Sequence, residues 1–348
     1  MDEIALTGAR ETWMERFVFV LAIAVAILFG LGAMFGGPNW SNFSIHVGDD
    51  DGGRGTAAII ATSPGSMPAE AFAGGDLRIR NVAAVVAIIP EDRQDYSVEI
   101  DNTAGVLPMP TVATDDGRVV IDGQLRGRVR GCGDAGSASV RGYGDGEFDA
   151  AELPRITIRT PRALQLDRSG AGSTDIGATQ SLSLEVNGCS TTTVADVAGD
   201  LSMDIAGSGN VNTGAAQSLD ADVAGSADVV TGAIASGAAI DLAGSGSVTM
   251  ASLTGELNSD AAGSGVVTVR GGAITIASID LAGSGDVSIA ATVQDLNVSI
   301  VGSGSVDVTA PVVNIDAEIA GSGSVSAPAA SGSVRQEVFG SGEVSVGQ

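Results

Sequence analysis

A six-residue phrase, Ala-Gly-Ser-Gly-x-Val or a near relative, recurs through the second half of the chain. It reads AGSGNV at 206–211, AGSADV at 224–229, AGSGSV at 243–248 and AGSGVV at 262–267. It continues as AGSGDV at 282–287, VGSGSV at 301–306, AGSGSV at 320–325 and FGSGEV at 339–344. Successive first glycines, from Gly207 to Gly340, lie 18, 19, 19, 20, 19, 19 and 19 residues apart. Degenerate copies at Asn187-Gly188-Cys189-Ser190 and Ser169-Gly170-Ala171-Gly172 extend the series backwards. A fixed period of this length restricts the chain to a repeat architecture.

Aligned on the first glycine, the copies reveal columns. Two residues before it stand Ile205, Val223, Leu242, Ala261, Leu281, Ile300, Ile319 and Val338. Four residues before it stand Met203, Ala221, Ile240, Ser259, Ile279, Val298, Ala317 and Gln336. The shared parity places both columns on one strand face. After the glycines runs a valine column from Val211 to Val344, followed by Thr213, Thr231, Met250, Val269, Ile289, Val308, Ala327 and Val346. A third, less regular apolar column is Leu201, Leu219, Leu257, Ile276, Leu296, Ile315 and Val334. Each copy thus predicts two short strands joined at Gly-Ser-Gly, with a weaker third strand or turn closing a coil. One coil cannot bury its own apolar face, whereas stacked coils can. The predicted fold class is all-β: a parallel β-helix with coils of about 19 residues, rising about 4.8 Å per coil, preceded by one N-terminal transmembrane helix.

Between the apolar columns, three residues before each glycine, stand Glu185, Asp204, Asp222, Asp241, Asp260, Asp280, Ser299, Glu318 and Glu337. In a parallel in-register stack these form a ladder on the outer face. Two readings stand: a solvated stripe that keeps the surface soluble, and a Ca2+-binding ladder, because carboxylates about 5 Å apart repel and a divalent ion relieves this.

Residues 17–36 are apolar and uncharged, flanked by Trp13 and Trp40, and long enough to cross a bilayer as a helix. The other reading is a cleaved signal segment. Arg10 and Arg16 precede the span and Asp49, Asp50 and Asp51 follow it, which predicts a cytoplasmic tail at 1–16 and an external, periplasm-facing body. This makes the chain a single-pass inner-membrane protein. Residues 37–75 are rich in Gly, Ser, Pro, Ala and Asp and are read as a flexible tether. Residues 76–348 form the β-helix domain, with regular repeats from 185 onward. Its first part carries strand signals at 77–80, 85–89, 96–100, 118–121 and 155–159, and an irregular glycine-rich stretch at 131–152.

Charge and residue type exclude several functions. The net charge is −25 and every basic residue is Arg, so no basic footprint for nucleic acid dominates. Residues 169–348 hold two arginines, Arg270 and Arg335, against 19 acids. Arg126, Arg128 and Arg130 alternate; they either pair with the acidic ladder or are solvated. His46, the single histidine, lies in the tether, so Ser-His-Asp and Cys-His catalysis have no base. The Gly-Ser-Gly loops lack a phosphate-binding lysine. Carboxylate pairs keep a carbohydrate-active lyase or hydrolase as the alternative function, although the repeats carry Phe339 as their sole aromatic. Cys132 and Cys189 form a disulfide in an external compartment or remain two buried thiols.

The order of these segments resembles the head GIN domain family of putative autotransporter adhesins. The resemblance spans about 76–345 and rests on Asp76-Leu77-Arg78-Ile79, Val85 to Ile89, Asp95 to Ile100, Asp116 to Ile121, Ile156-Thr157-Ile158 and the serial Gly-Ser-Gly-x-Val phrases. It implies a β-helical fold, an extracytoplasmic location and no catalytic motif or cofactor. No membrane-barrel strands follow the repeats. The expectation is a membrane-anchored, non-enzymatic structural, adhesion-like or binding module of unknown ligand. Its partners are the membrane, through 17–36, and a second copy, through the C-terminal β-helix edge.

Overall fold

The structure, a computed structural model, describes residues 59–62, 64–133 and 136–347. The expected tail, membrane span and first part of the tether lie outside the described residues, as does His46. Among the described residues there is no α-helix; the chain is all-β and winds into a solenoid of about ten turns.

The corner glycines make the winding regular. Gly170, Gly188, Gly207, Gly225, Gly244, Gly263, Gly283, Gly302, Gly321 and Gly340 all hold φ between 118° and 135°, a region that side chains with a Cβ rarely enter. Space excludes a side chain as well: a Cβ on Gly244 would lie 2.2 Å from the carbonyl oxygen of Gly225 in the preceding coil. That close approach has a use. The following serine donates its N–H to this carbonyl, as in Ser245 N to Gly225 O at 2.8 Å and Ser264 N to Gly244 O at 2.8 Å. Each corner is therefore tied to the one before it.

Between corners, strands of successive coils pair in parallel and in register. Ile205, Val223, Leu242, Ala261, Leu281, Ile300 and Ile319 stack as partners through the interior. All seven are buried. The valine column from Val211 to Val344 stacks in the same way on the second strand. Burying each such side chain contributes about 1.5–3 kcal/mol relative to exposure, so these ladders dominate the stability of the stack.

The third apolar column differs from the sequence reading at one position. The coil between Gly263 and Gly283 carries an extra residue, accommodated as a bulge between Gly255 and Glu256 of its neighbour. The bulge shifts parity. Ala277 pairs with Leu257 and Leu296 in the interior, while Ile276 turns outward and is 40% exposed.

The first part of the described chain closes the N-terminal end of the stack with a mixed sheet. Asp76–Glu91 runs parallel to Ala163–Ile176 and to Arg118–Asp122 and Arg155–Pro161. Tyr96–Asn102 runs antiparallel to Arg155–Pro161 and to Gly65–Phe72. Residues 65–72 are thus a paired strand rather than tether. Their backbone pairing, with one irregularity between Met67 and Glu70, outweighs a composition that reads as linker, and Met67 and Phe72 pack against the core. Within the stretch 131–152, expected to be irregular, Ala138–Val140 and Glu147–Phe148 form a small antiparallel sheet with Val129–Cys132. A second core of Leu107, Leu125, Val140, Tyr143, Phe148 and Leu153 holds it against Ala83 and Ala171 of the solenoid wall.

Candidate functional site

The candidate site is the outer face of the strands that precede the corner glycines. Within each of these strands the two inward residues flank one outward residue. Asp204, between buried Met203 and Ile205, is an example. Strict register then stacks the outward residues into one line. Glu185 pairs with Asp204, Asp204 with Asp222, Asp222 with Asp241, Asp241 with Asp260 and Asp260 with Asp280. Ser299 follows, and then Glu318 and Glu337.

The line begins one coil earlier than the sequence reading placed it. Asp167 pairs with Glu185, and Arg78 pairs with Asp167. The Arg78 guanidinium forms an ion pair with the Asp167 carboxylate. A cation thus caps the first carboxylate. The degenerate copy at Ser169-Gly170 points to Asp167 by the same three-residue offset. Arg78 carries no repeat signal. Near the far end Arg335 lies 3.7 Å from both Asp316 and Glu337.

Seven consecutive carboxylates, Asp167 to Asp280, occupy rungs about 4.8 Å apart. Full ionisation at that spacing would be costly, and the central rungs respond by holding protons. Burial, followed by hydrogen bonds and repulsion from Asp241 and Asp204, pushes the Asp222 carboxyl up to about 7. Burial and the charges of Asp280 and Asp241 push Asp260 up to about 7 as well. Asp280 is raised by burial, and hydrogen bonds from Asp260 and Ser299 oppose that shift. Asp220, two residues before Asp222 on the same face, is raised by burial and by Asp241 and Asp204. Near neutral pH Asp222 and Asp260 are therefore partly protonated, each hydrogen-bonded to the carboxyls on the rungs either side.

Such a line is a poor cage for calcium, which needs six to eight oxygens converging on one point. Among the described residues no group of three or more His, Cys, Asp or Glu side chains is arranged to hold a metal ion. The alanines of the repeat phrase, Ala206, Ala224, Ala243, Ala262 and Ala282, flank the carboxyls on one side. On the other side, at the N-terminal end, the wall forms a concavity of about 410 Å³ lined by Leu164 and Leu182 together with Asp76, Gln165, Ser183, Asp200 and Ser202.

The remaining residues singled out in the sequence separate from the ladder. Arg126 and Arg130 are exposed, while half-buried Arg128 lies over the Tyr143 ring at 5.8 Å. The three do not share a strand face, because the strand begins only at Val129 and has a bulge before Gly131. Cys132 and Cys189 are joined in a disulfide with Cα atoms 5.6 Å apart. It ties the small sheet to the corner of the second coil.

Comparison with known proteins follows this geometry. Residues 238–347 match the family described as "Putative auto-transporter adhesin, head GIN domain". Among solved structures, a putative adhesin from Parabacteroides distasonis ATCC 8503 is similar at 15% identity and a TM-score of 0.42, over 83% of this chain and 99% of that one. A putative adhesin from Parabacteroides merdae ATCC 43184 is similar at 14% identity and a TM-score of 0.41, over 84% and 100%. A putative lipid binding protein from Parabacteroides distasonis ATCC 8503 is similar at 17% identity and a TM-score of 0.37, over 84% and 100%. No curated protein matches the chain.

Proposed function

We propose that the chain is an extracytoplasmic binding module of the adhesion type, held at the inner membrane by residues 17–36. Its carboxylate face recognises an extended cationic partner. The observation that carries this reading is the register of the column: seven carboxylates in line from Asp167 to Asp280 on a rigid wall. A periodic row of charge suits a partner that is itself repetitive, because many weak contacts about 4.8 Å apart add into one useful affinity. The family match over 238–347 supports the same class of role. The test is attachment of the purified full chain to poly-arginine, poly-glutamate and uncharged polymer surfaces. Retention on poly-arginine that is lost when Asp204, Asp222, Asp241, Asp260 and Asp280 are all replaced by Asn supports the reading. Equal retention by the native and substituted chains overturns it.

One observation favours a second reading, a carbohydrate-active enzyme. Asp222 and Asp260, each pushed up to about 7, sit beside further carboxylates, the pairing of acid and base that glycoside hydrolysis uses. The line supplies many similar pairs, however, whereas cleavage needs one pair placed on opposite sides of one bond. Release of reducing ends from an acidic or neutral glycan, abolished by Asp222→Asn or Asp260→Asn, would favour this reading over the first.

The coil at 334–346 supports assembly with a second copy. Val334, Val338 and Phe339 are 46%, 38% and 51% exposed there, although the first two occupy columns that are interior in the preceding coils. Sedimentation of the full chain in detergent tests this. A dimer that dissociates on Val338→Asp is expected, and a strict monomer at high concentration refutes it.

A further inference from the structure

The interior of the solenoid is mostly aliphatic, with single buried hydroxyls at Thr231 and Ser259, and it gathers a polar cluster with a charge only at its first two regular coils. Arg168 occupies an inward position there, paired with Ile79 below and Val186 above. It is 0% exposed. Its Nε donates to Thr174 Oγ1 at 3.3 Å, Nη1 to the carbonyl of Ser169 at 2.8 Å and Nη2 to the carbonyl of Ala171 at 2.6 Å. These three acceptors are neutral, and no carboxylate pairs with Arg168 among the described residues. Burial lowers its pKa to about 10, yet at neutral pH it stays charged. An isolated buried charge is among the most costly groups a protein interior can hold.

The neighbouring coil breaks the repeat pattern at two inward positions, both polar. Thr192 stands in the valine column, stacked in register on Thr174, the residue that Arg168 touches. Ser190 stands where the later coils have Gly209, Ala227, Gly246 and Gly265. Thr192 and Ser190 are 0% and 1% exposed, and both hydroxyls lack a hydrogen-bond partner. The next coil restores glycine and valine at these places, with Gly209 and Val211. One polar layer, holding a guanidinium without a carboxylate partner and two hydroxyls without hydrogen-bond partners, thus lies between aliphatic layers. A guanidinium carries five N–H groups, and the three bonds above leave two spare. A charged guanidinium with spare N–H groups, near two hydroxyls without partners, calls for a further acceptor that also carries negative charge.

We propose that this polar layer binds one small monovalent anion of the halide class, held by Arg168 with Ser190 and Thr192. A halide is compact and spherical. It accepts hydrogen bonds from any direction, and it neutralises the guanidinium without needing room for an oxyanion. The site sits beside the Cys132–Cys189 corner, so its occupancy stabilises the junction between the N-terminal sheet and the regular coils.

The experiment is thermal unfolding of the full chain in sodium chloride, bromide and gluconate at equal ionic strength, beside crystals grown in bromide. Expected are a Tm about 2–4 °C higher in the halides and an anomalous bromide peak within hydrogen-bond distance of the Arg168 guanidinium. Arg168→Met also removes three interior hydrogen bonds, so the deciding variant is Ser190→Gly with Thr192→Val. It installs the residues that later coils use at these positions and should remove the halide dependence. Thr231→Val, a buried hydroxyl that donates to the Gly232 carbonyl elsewhere in the wall, should keep it. A Tm equal in the three salts, a dependence shared by both variants, or an absent bromide peak overturns the proposal.

Discussion

The carboxylate column makes stability fall as pH rises, opposite to the usual effect of paired carboxylates. The ordinary value for Asp is 3.8, and in the folded chain Asp222 and Asp260 stand at about 7. Between those values the folded state binds protons that the unfolded chain has released. Stability is therefore greatest below the unfolded value, declines as pH rises from about 4 to about 7, and is level above that. Taken whole, a shift of about three pH units corresponds to about 4 kcal/mol per group. The carboxyls are only partly buried, and screening by solvent reduces the effect to about 1 kcal/mol each. Asp222→Asn and Asp260→Asn keep the size and hydrogen-bonding capacity of the protonated acid and remove the charge. The double variant should unfold at higher urea than the native chain at pH 8, by about 2 kcal/mol, and at nearly the same urea at pH 4.5. The assay is the urea midpoint by circular dichroism from pH 4.5 to 8, with Asp175→Asn, an exposed position outside the column, as control. A native midpoint that stays constant or rises over this range, or a double variant weaker at pH 8, would refute the reasoning.

Three further outcomes follow from the packing. Gly244→Ala places a Cβ 2.2 Å from the Gly225 carbonyl at a φ of 129°, and should cost about 3 kcal/mol or more, read as a lower urea midpoint; a neutral result would mean the corners are not close-packed. Cys132→Ser with Cys189→Ser opens a crosslink between residues 57 apart in sequence, with an expected loss of about 2–4 kcal/mol that reduction of the native chain should reproduce. Tyr96, pushed up to about 12 by burial and by Asp76, donates from its hydroxyl to the Gly75 carbonyl at 2.9 Å; Tyr96→Phe should lose about 1 kcal/mol, and the native tyrosine should resist ionisation in a spectrophotometric titration up to pH 11.

Much of the fold is legible in the spacing of the glycines, because one constraint serves several purposes there. The corner needs positive φ, and the preceding coil's carbonyl leaves no room for a Cβ, so the phrase recurs wherever the chain turns. Once the corner is placed, parity assigns inside and outside, which is why the carboxylate column from Glu185 to Glu337 reads correctly from the letters. Parity also shows how the reading fails. The single extra residue between Gly263 and Gly283 can be absorbed anywhere along the coil, and spacing alone does not say where. The bulge opposite Gly255 puts it before Ile276, and that choice exchanges Ile276 for Ala277 in the interior. Strand Gly65–Phe72 was hidden for a different reason. Its stabilisation comes from backbone pairing with Tyr96–Asn102, and backbone groups leave no mark on composition.

The candidate site divides in the same way. Position on the column is a matter of register, which the repeat encodes. Protonation is a matter of depth and of neighbours, which it does not. Asp222 and Asp260 share their offset from a corner glycine with the rest of the column, and it is burial first, then the neighbouring carboxyls, that pushes them up to about 7. Departures from the repeat carry the complementary information. Thr192 and Ser190 replace the valine and glycine of later coils at two adjacent inward positions, one coil from the buried Arg168. A repeat conserves what winding requires, so an inward residue that violates it without serving the corner marks chemistry of another kind. By that criterion the column is a periodic surface suited to a repetitive partner. The polar layer around Arg168 is the one place in the described wall where several interior departures converge on a charge, and the halide experiment tests it apart from any partner of the outer face.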